Sequence, residues 1–283
     1  GSVDAGCDIF LTNSFGGNAS RLKLHDSEDR AYELSLAASK IAKDVANKSG
    51  RDILVAGSIG PTGDIMGDAG WLSHDEAVQM FQVTAQGLID GGADLLWVET
   101  ISSPEEFIAA SEAIQNINAQ WVGTMSFDTA GRTMMGVTSH DMTNLVKSMK
   151  YGPIGFGANC GVGASDLLRT VLGLSENADR PVIAKGNAGI PKYVDGHIHY
   201  DGTPEIMAEY AILAKACGAS IIGGCCGTMP IHLKAMRKAL DNSTKIELPT
   251  LDQISKVLGP FSSETDGTGD GPKPVRVRRG QRR

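Results

Sequence analysis

Short apolar segments alternate along this chain with longer amphipathic ones, and that alternation limits the fold more than any other feature. The apolar segments are Asp8–Thr12, Ile53–Gly57, Leu95–Glu99, Trp121–Ser126, Ile154–Ala158, Val182–Lys185 and Ser220–Gly223. Several are continuously apolar, as expected of strands covered on both faces or closed into a barrel.

The intervening segments carry helix-start and helix-stop chemistry. Asp26-Ser-Glu-Asp-Arg leads into a helix over Ala31–Asn47, and Ser73-His-Asp-Glu opens one that runs to about Asp90. Ser103-Pro-Glu-Glu and Thr203-Pro-Glu-Ile each set a capping hydroxyl before a proline at the first helical position. Gly50, Gly91 and Gly218 are read as the glycines that close three helices.

Seven such strand–helix units predict an α/β architecture with a parallel sheet, read as a (β/α)₈ barrel lacking its first βα unit. The opening Val3-Asp-Ala-Gly-Cys-Asp reads as a helix end running straight into a strand. The native protein is therefore expected to carry about 50 to 60 further N-terminal residues, enough for one βα unit and a leader. A doubly wound open sheet is the alternative, but no Gly-x-Gly-x-x-Gly turn follows a strand to favour nucleotide binding.

The 283 residues suffice for one large domain or two modest ones, and 35 glycines against 5% aromatics fit many tight strand-to-helix turns. The net charge of −7 is uneven: from Ser262 onward six basic and three acidic residues give +3, leaving −10 for the rest. An acidic body argues against a nucleic-acid enzyme. The Gly/Ser/Pro-rich terminus is read as a disordered basic tail over 262–283. No apolar run approaches the roughly 20 residues of a bilayer span, and no signal peptide opens the chain. With five cysteines in no disulfide-framework spacing, the expected home is the reducing cytoplasm.

In a barrel of this kind the chemistry sits where strands end and βα loops begin. The polar residues there are Thr12-Asn13-Ser14, Ser58, Glu99-Thr100, Ser126, Asp128, Asn159-Cys160, Lys185, Asn187 and Cys225-Cys226. Cys160 lies in Gly157-Ala-Asn-Cys-Gly161, and the vicinal pair in Ile221-Ile-Gly-Gly-Cys-Cys-Gly-Thr-Met-Pro230. Each cysteine site taken alone also reads as small buried core residues. Three thiolates meeting at one barrel mouth, however, make a soft, open zinc site whose fourth position is free for a substrate thiol. The shared position at strand ends favours that reading, with one Zn²⁺ per chain.

These residues bring a family into view. Gly6-Cys-Asp-Ile-Phe-Leu-Thr-Asn-Ser-Phe-Gly-Gly-Asn18, Val98-Glu-Thr100, Gly157-Ala-Asn-Cys160, Asn187-Ala-Gly-Ile-Pro191 and Gly223-Gly-Cys-Cys-Gly-Thr228 resemble motifs of the homocysteine S-methyltransferases. That group takes in the betaine–homocysteine methyltransferases, the methylmethionine enzymes and the homocysteine-binding module of cobalamin-dependent methionine synthase. The resemblance implies a (β/α)₈ barrel over 1–245, followed by a C-terminal extension over 246–261. It implies zinc on Cys160, Cys225 and Cys226, with the homocysteine sulfur as fourth ligand. Glu99, read as the catalytic-site residue, and Thr12, Asn13 and Ser14 are expected to hold the amino acid, and Asn159 and Asn187 are also expected to bind substrate. Two departures stand out. No Asp/Gly-rich first-strand loop is present, and Thr100 occupies the place of the aromatic residue that follows the strand glutamate in the animal betaine enzymes.

The expected reaction is methyl transfer from a small donor, a betaine-like methylammonium being favoured, to homocysteine thiolate, giving methionine. The alternative is a homocysteine-binding module that receives its methyl group from a separate cobalamin or other carrier protein. A thiol-redox protein using Cys225-Cys226 is a third class, and would work without metal. Homocysteine, a small donor and a further copy of the chain are the expected partners, with neither nucleic acid nor membrane among them. His197 and His199 are read as loop residues, and Cys7 and Cys217 as packing. Met134 and Met135 are read either as donor-pocket lining or as core packing, and Trp71 either as a stacking face for a methylammonium donor or as cover for the barrel end. Lys185 is read either as a donor-carboxylate ligand or as structural.

Overall fold

The computed structural model of the protein describes residues 1–67, 70–190, 192–194, 196–244 and 247–268. The chain begins β1 (Ile9–Leu11), α1 (Ala19–Leu22), α2 (Ala31–Lys48), β2 (Leu54–Ile59), α3 (His74–Asp90), β3 (Leu95–Ile101), α4 (Pro104–Asn116) and β4 (Trp121–Met125). It continues through α5 (Ser139–Ser148), β5 (Gly155–Cys160), α6 (Ala164–Ser175), β6 (Val182–Gly186) and a hairpin of β7 (Lys192–Val194) and β8 (His197–His199). Helix α7 (Pro204–Ala216), β9 (Ala219–Gly224), α8 (Pro230–Asn242) and α9 (Leu251–Leu258) complete it.

Seven strands form one parallel sheet in the order β1-β2-β3-β4-β5-β6-β9, each paired to its predecessor. Every segment read as a strand is one of them. The sheet curls as an incomplete (β/α)₈ barrel, helices outside, with β1 and β9 at its two unpaired edges among the described residues. Between those edges lies a cavity of about 570 Å³. The gap falls where the sequence placed the absent first unit.

Strand alternation divides the core in two. Ala56, Leu95, Trp97, Val122 and Ile183 point inward and pack with Ile9, Leu11 and Ile221 as the barrel filling. The opposite faces meet the helices, where Phe81, Phe107, Phe156, Leu168 and Tyr210 are wholly buried. Each such side chain stabilises the fold by roughly 2–3 kcal/mol. Gly123 lets α4 lie close: a Cβ there would stand 2.5 Å from the Phe107 ring, which itself leans on Trp121 with centroids 5.2 Å apart.

The caps form as their chemistry dictates. Ser73 and Glu76 make a reciprocal capping box on α3, and Ser103 and Thr203 cap helices that begin with proline. Gly50 and Gly218 take the left-handed turn after α2 and α7, with φ of 68° and 99°. Helix α3 differs from expectation by one residue. Gly91 stays right-handed at φ −76°, and Gly92 at φ 102° makes the turn. Glu106, in the first turn of α4, accepts hydrogen bonds from the Thr62 amide and hydroxyl, both at 2.7 Å, and so ties the loop after β2 to the helix that follows β3.

Beyond α9, Ser262 and Ser263 hydrogen-bond to the buried Asp166–Arg169 pair of α6. Ser262, the residue read as the start of a basic tail, thus lies in a stretch held against the barrel, and 269–283 fall outside the described residues. No helix among the described residues is long and apolar enough to cross a membrane.

Candidate metal centre

The C-terminal ends of β5 and β9 bring the three cysteines together. The sulfurs of Cys160, Cys225 and Cys226 all lie within 4.8 Å of one another, and those of Cys160 and Cys226 are 3.8 Å apart. Tetrahedral coordination at the usual zinc–sulfur distance of ~2.3 Å separates ligand sulfurs by ~3.8 Å. Cys160 and Cys225 are half-buried and Cys226 is exposed, so the cluster is braced on one side and open on the other. Both the donor set and the spacing fit zinc.

Local backbone chemistry explains how the sulfurs converge. Cys160 leaves β5 in the left-handed region at φ 61°, followed by Gly161 at φ 72°. A non-glycine residue held there is strained and persists only when its surroundings fix it. On the facing loop, the Cys225 amide donates to the Gly186 carbonyl at 2.7 Å and the Ala188 amide to the Cys226 carbonyl at 2.9 Å. Asn187 joins the two loops: its side-chain amide donates to the Gly161 carbonyl at 3.0 Å, and its carbonyl accepts from the Cys226 amide at 3.1 Å.

A second asparagine supports the cluster from below. Asn159 Nδ2 donates to Thr100 Oγ1 at 2.8 Å and lies 3.6 Å from Cys225 Sγ. Its Oδ1 accepts from the Thr100 amide at 2.9 Å and from Thr124 Oγ1 at 2.7 Å. Thr100, at φ 63°, is also left-handed.

The sulfurs share protons unequally. Hydrogen bonds from Cys160 and then Cys225 hold the Cys226 thiol far below its ordinary range, aided by the Tyr200 hydroxyl. Those same bonds, to Cys225 and then Cys226, push Cys160 up, with burial adding to the effect. Tyr200 is itself pushed up to about 12, by burial first and then by the neighbouring Cys226 charge.

The floor of the mouth is charged. Glu99 and Lys185 pair at 2.6 Å, both buried, and Ser58 Oγ donates to the other Glu99 oxygen at 2.6 Å. The Lys185 ammonium also lies 4.9 Å from the centre of the Trp97 ring. Thr12 and Ser14 are buried and bonded to each other at 2.6 Å; Thr12 Oγ1 accepts from the Ser58 amide, and Ser14 Oγ donates to its carbonyl. Asn13 is exposed.

The structure thus brings the cysteines, Asn159 and Asn187 into one cluster, and joins Thr12, Ser14 and Glu99 through Ser58. Tyr200 and the bridging role of Thr100 escape a reading of the sequence. The β7–β8 hairpin and the chain after it deliver Tyr200 to the cysteines, and Gly227, where a Cβ would stand 2.3 Å from the tyrosine ring, makes room for it. His197 and His199 are exposed on that hairpin, and the cysteine triad is the metal-capable cluster among the described residues. Cys217 is buried and Cys7 half-buried. Met134, Met135 and Trp71 are all exposed, which removes core packing as an account of the methionines, and Trp71 Nε1 donates to Asp64 at 3.0 Å.

The homocysteine S-methyltransferase family model matches residues 3–240. Among solved structures, the chain is similar to the metallated form of the homocysteine methyltransferase MmuM from Escherichia coli. The two share 22% identity over 84% of this chain and 81% of that one, with a TM-score of 0.70. The oxidised form of the same protein aligns at 22% identity over 83% and 80%, with a TM-score of 0.67. At this identity the structural likeness speaks for the fold, and the family match for the lineage.

Proposed function

The chain belongs to the homocysteine S-methyltransferase family, and from that premise we propose that it is a zinc-dependent enzyme moving a methyl group from a small onium donor to homocysteine. The observation that carries the zinc reading is the set of three sulfurs within 4.8 Å of one another on the open face of the barrel mouth, Cys160 and Cys226 at the tetrahedral spacing.

Cys160, Cys225 and Cys226 would hold the ion, and Asn159 and Asn187 would hold the cysteines. Zn²⁺ bound there supplies the Lewis acidity that keeps a thiol, otherwise protonated below pH ~8.5, in its nucleophilic thiolate form at neutral pH. The chain's own residues do the remaining work. Cys226, its thiol held low by the neighbouring sulfurs and by the Tyr200 hydroxyl, brings negative charge to the cluster. Glu99 and Lys185 offer opposite charges for an amino acid to be held by its zwitterionic end. In the transfer, the acceptor sulfur bonds to the donor methyl carbon. The methyl–nitrogen bond breaks with its electron pair staying on nitrogen, so a cationic donor leaves as a neutral amine. Holding sulfur and methyl in near-attack contact supplies most of what the site must add.

The donor we propose is a betaine-like methylammonium compound, with homocysteine becoming methionine. Tyr200 supports it by setting an aromatic ring beside Cys226, where a quaternary ammonium is attracted to a ring face.

Incubating the purified, zinc-loaded protein with homocysteine and a panel of donors, glycine betaine among them, tests the reading. Methionine formed without other proteins, and abolished by a chelator, is the expected result. Methionine formed only with a methylcobalamin carrier protein would instead establish the module reading. Turnover untouched by chelation would overturn the zinc assignment.

A further inference from the structure

After α9 the chain runs as a strap with two attachments. The first is to α6. Ser165 Oγ donates to the Gly259 carbonyl at 2.6 Å, and the Arg169 guanidinium lies 4.5 Å from the centre of the Phe261 ring. Asp166 accepts from the Ser262 amide and hydroxyl, both at 3.0 Å, and Arg169 donates to the Ser263 carbonyl at 2.9 Å. These bonds answer both members of a buried ion pair, whose charges are costly to bury without further partners. The strap therefore has a fixed seat on α6. It lies beyond residues 3–240, so the family match does not account for it.

The second attachment is to the loop between β4 and α5, on the face where the cysteines lie. Gly131 and Gly267 are both left-handed, at φ 80° and 83°, and meet there. A Cβ on Gly131 would stand 2.2 Å from the Asp266 carbonyl, and one on Gly267 would stand 2.6 Å from the Gly131 carbonyl oxygen and 2.9 Å from Arg132 Cγ. The Arg132 guanidinium, so placed, donates to the Gly136 carbonyl at 3.0 Å. The Gly136 amide closes the turn 133–136 on the Thr133 carbonyl at 2.9 Å. At the tip of that turn are Met134 and Met135, 74% and 56% exposed. One arginine thus links the strap to the methionines.

The base of the same loop is built into the metal centre. Thr133 Oγ1 donates to the Ser102 carbonyl at 2.6 Å, two residues beyond the Thr100 that braces Asn159. Phe127 sets its carbonyl oxygen 3.1 Å from where a Cβ on Gly161 would stand, immediately after Cys160. The methionine turn therefore rises from the rim beside the sulfurs.

We propose that residues 259–268 position this turn, through Arg132, as the wall of the mouth against which the methyl donor packs. The proposal rests on the methyl-transfer reading above and deepens it by giving the donor a subsite. An onium donor presents methyl groups that carry positive charge and no hydrogen-bond donors, and a pair of unbranched, polarizable thioethers suits such a surface. A loose turn would have to be ordered at each binding event; the strap meets that cost in advance.

Hydrogen exchange read by mass spectrometry, with steady-state kinetics, tests this on the full zinc-loaded chain. Gly267→Val drives its Cβ into the Gly131 carbonyl and lifts the strap from the turn while the seat on α6 stays. Amide exchange over 129–137 should rise about tenfold, with that of 164–175 unchanged. The KM for glycine betaine, or for whichever donor the panel above selects, should rise about tenfold. Homocysteine affinity by calorimetry and zinc content should stay as they were. Arg132→Ala, which leaves the strap seated, should reproduce both changes, and Arg132→Lys, which keeps a donor for Gly136, should restore most of each. That pair decides the matter if Gly267→Val does not fold. Unchanged exchange over 129–137 would overturn the strap. Faster exchange at constant donor KM would overturn the donor wall, and so would donor and homocysteine weakening together. Wild-type protein that makes no methionine from any donor would overturn the parent reading and the donor wall with it, whereas the coupling of strap to turn stands or falls on the exchange alone.

Discussion

Asn159 and Thr100 hold each other in both directions across an intervening strand: the Thr100 amide donates to Asn159 Oδ1 at 2.9 Å while Asn159 Nδ2 donates to Thr100 Oγ1 at 2.8 Å. Two strained ends, the left-handed Thr100 of β3 and the left-handed Cys160 next to Asn159 on β5, are thereby locked together. Asn159→Ala removes both bonds and the contact with Cys225. Zinc affinity is expected to fall about 10–100-fold, as it does when the partners of metal ligands are removed. Competition against a chromophoric chelator measures it, and unchanged affinity would show that the cysteines need no such support.

Cys226→Ala should lower zinc content from one ion per chain to a small fraction, by elemental analysis, and abolish methionine formation. Two remaining thiolates make a poor structural match to a tetrahedral site. Full occupancy in that variant would place the metal elsewhere.

Glu99→Gln is expected to raise the KM for homocysteine about tenfold or more, in line with loss of a charge-assisted bond, while the pH profile of kcat stays where it was. The carboxylate already has a buried cation and a serine hydroxyl as partners, so it is set up for charge pairing and not for proton transfer. Steady-state kinetics across pH decide it: a moved profile at constant KM would make Glu99 an acid or base.

Glu106 governs a pH effect away from the site. Burial raises its pKa above the ordinary 4.5, against the lowering pull of the Thr62 hydrogen bonds. A carboxyl with a raised folded pKa holds its proton more tightly folded than unfolded, so stability falls as pH climbs from about 4.5 through the raised value. That is the reverse of an ion-paired carboxylate. Glu106→Gln, which keeps an oxygen acceptor for Thr62, should have a higher Tm than wild type at pH 7, the gap closing as pH falls toward 4.5. A gap of constant size in thermal melts would show that the group does not titrate in this window.

Gly123→Ala should cost about 1–3 kcal/mol by overpacking, since its new methyl meets the Phe107 ring, which is pinned between strand and helix. Urea unfolding measures this, and an unchanged midpoint would mean that α4 shifts outward freely.

The strands and caps were legible because their signals are local. A run such as Leu95-Leu-Trp-Val-Glu99 is buried on both faces, and Ser73 or Thr203 caps the turn immediately following it. The cysteines were legible because strand ends in a parallel barrel share one face, whatever their distance in sequence. The Glu99–Lys185 contact was not: it joins residues 86 positions apart across the barrel interior, and only the completed curl of the sheet sets its length. Tyr200 was illegible for the same reason, and the one-residue slip at Gly91 arose because either of two adjacent glycines can end a helix. Met134 and Met135 look like core by composition, but they lie in an exposed turn after β4.

The left-handed backbone at Cys160 sets the direction in which this site can change its metal. Among residues able to ligate a cation, asparagine, aspartate and histidine are those most often found in that conformation. Replacing Cys160 by Asp or His therefore adds little backbone cost while moving the donor set away from all-sulfur toward harder ions. Cys225 and Cys226, with right-handed or extended backbones, offer no such allowance for these residues. Any drift in metal preference, natural or engineered, has its easiest opening at residue 160.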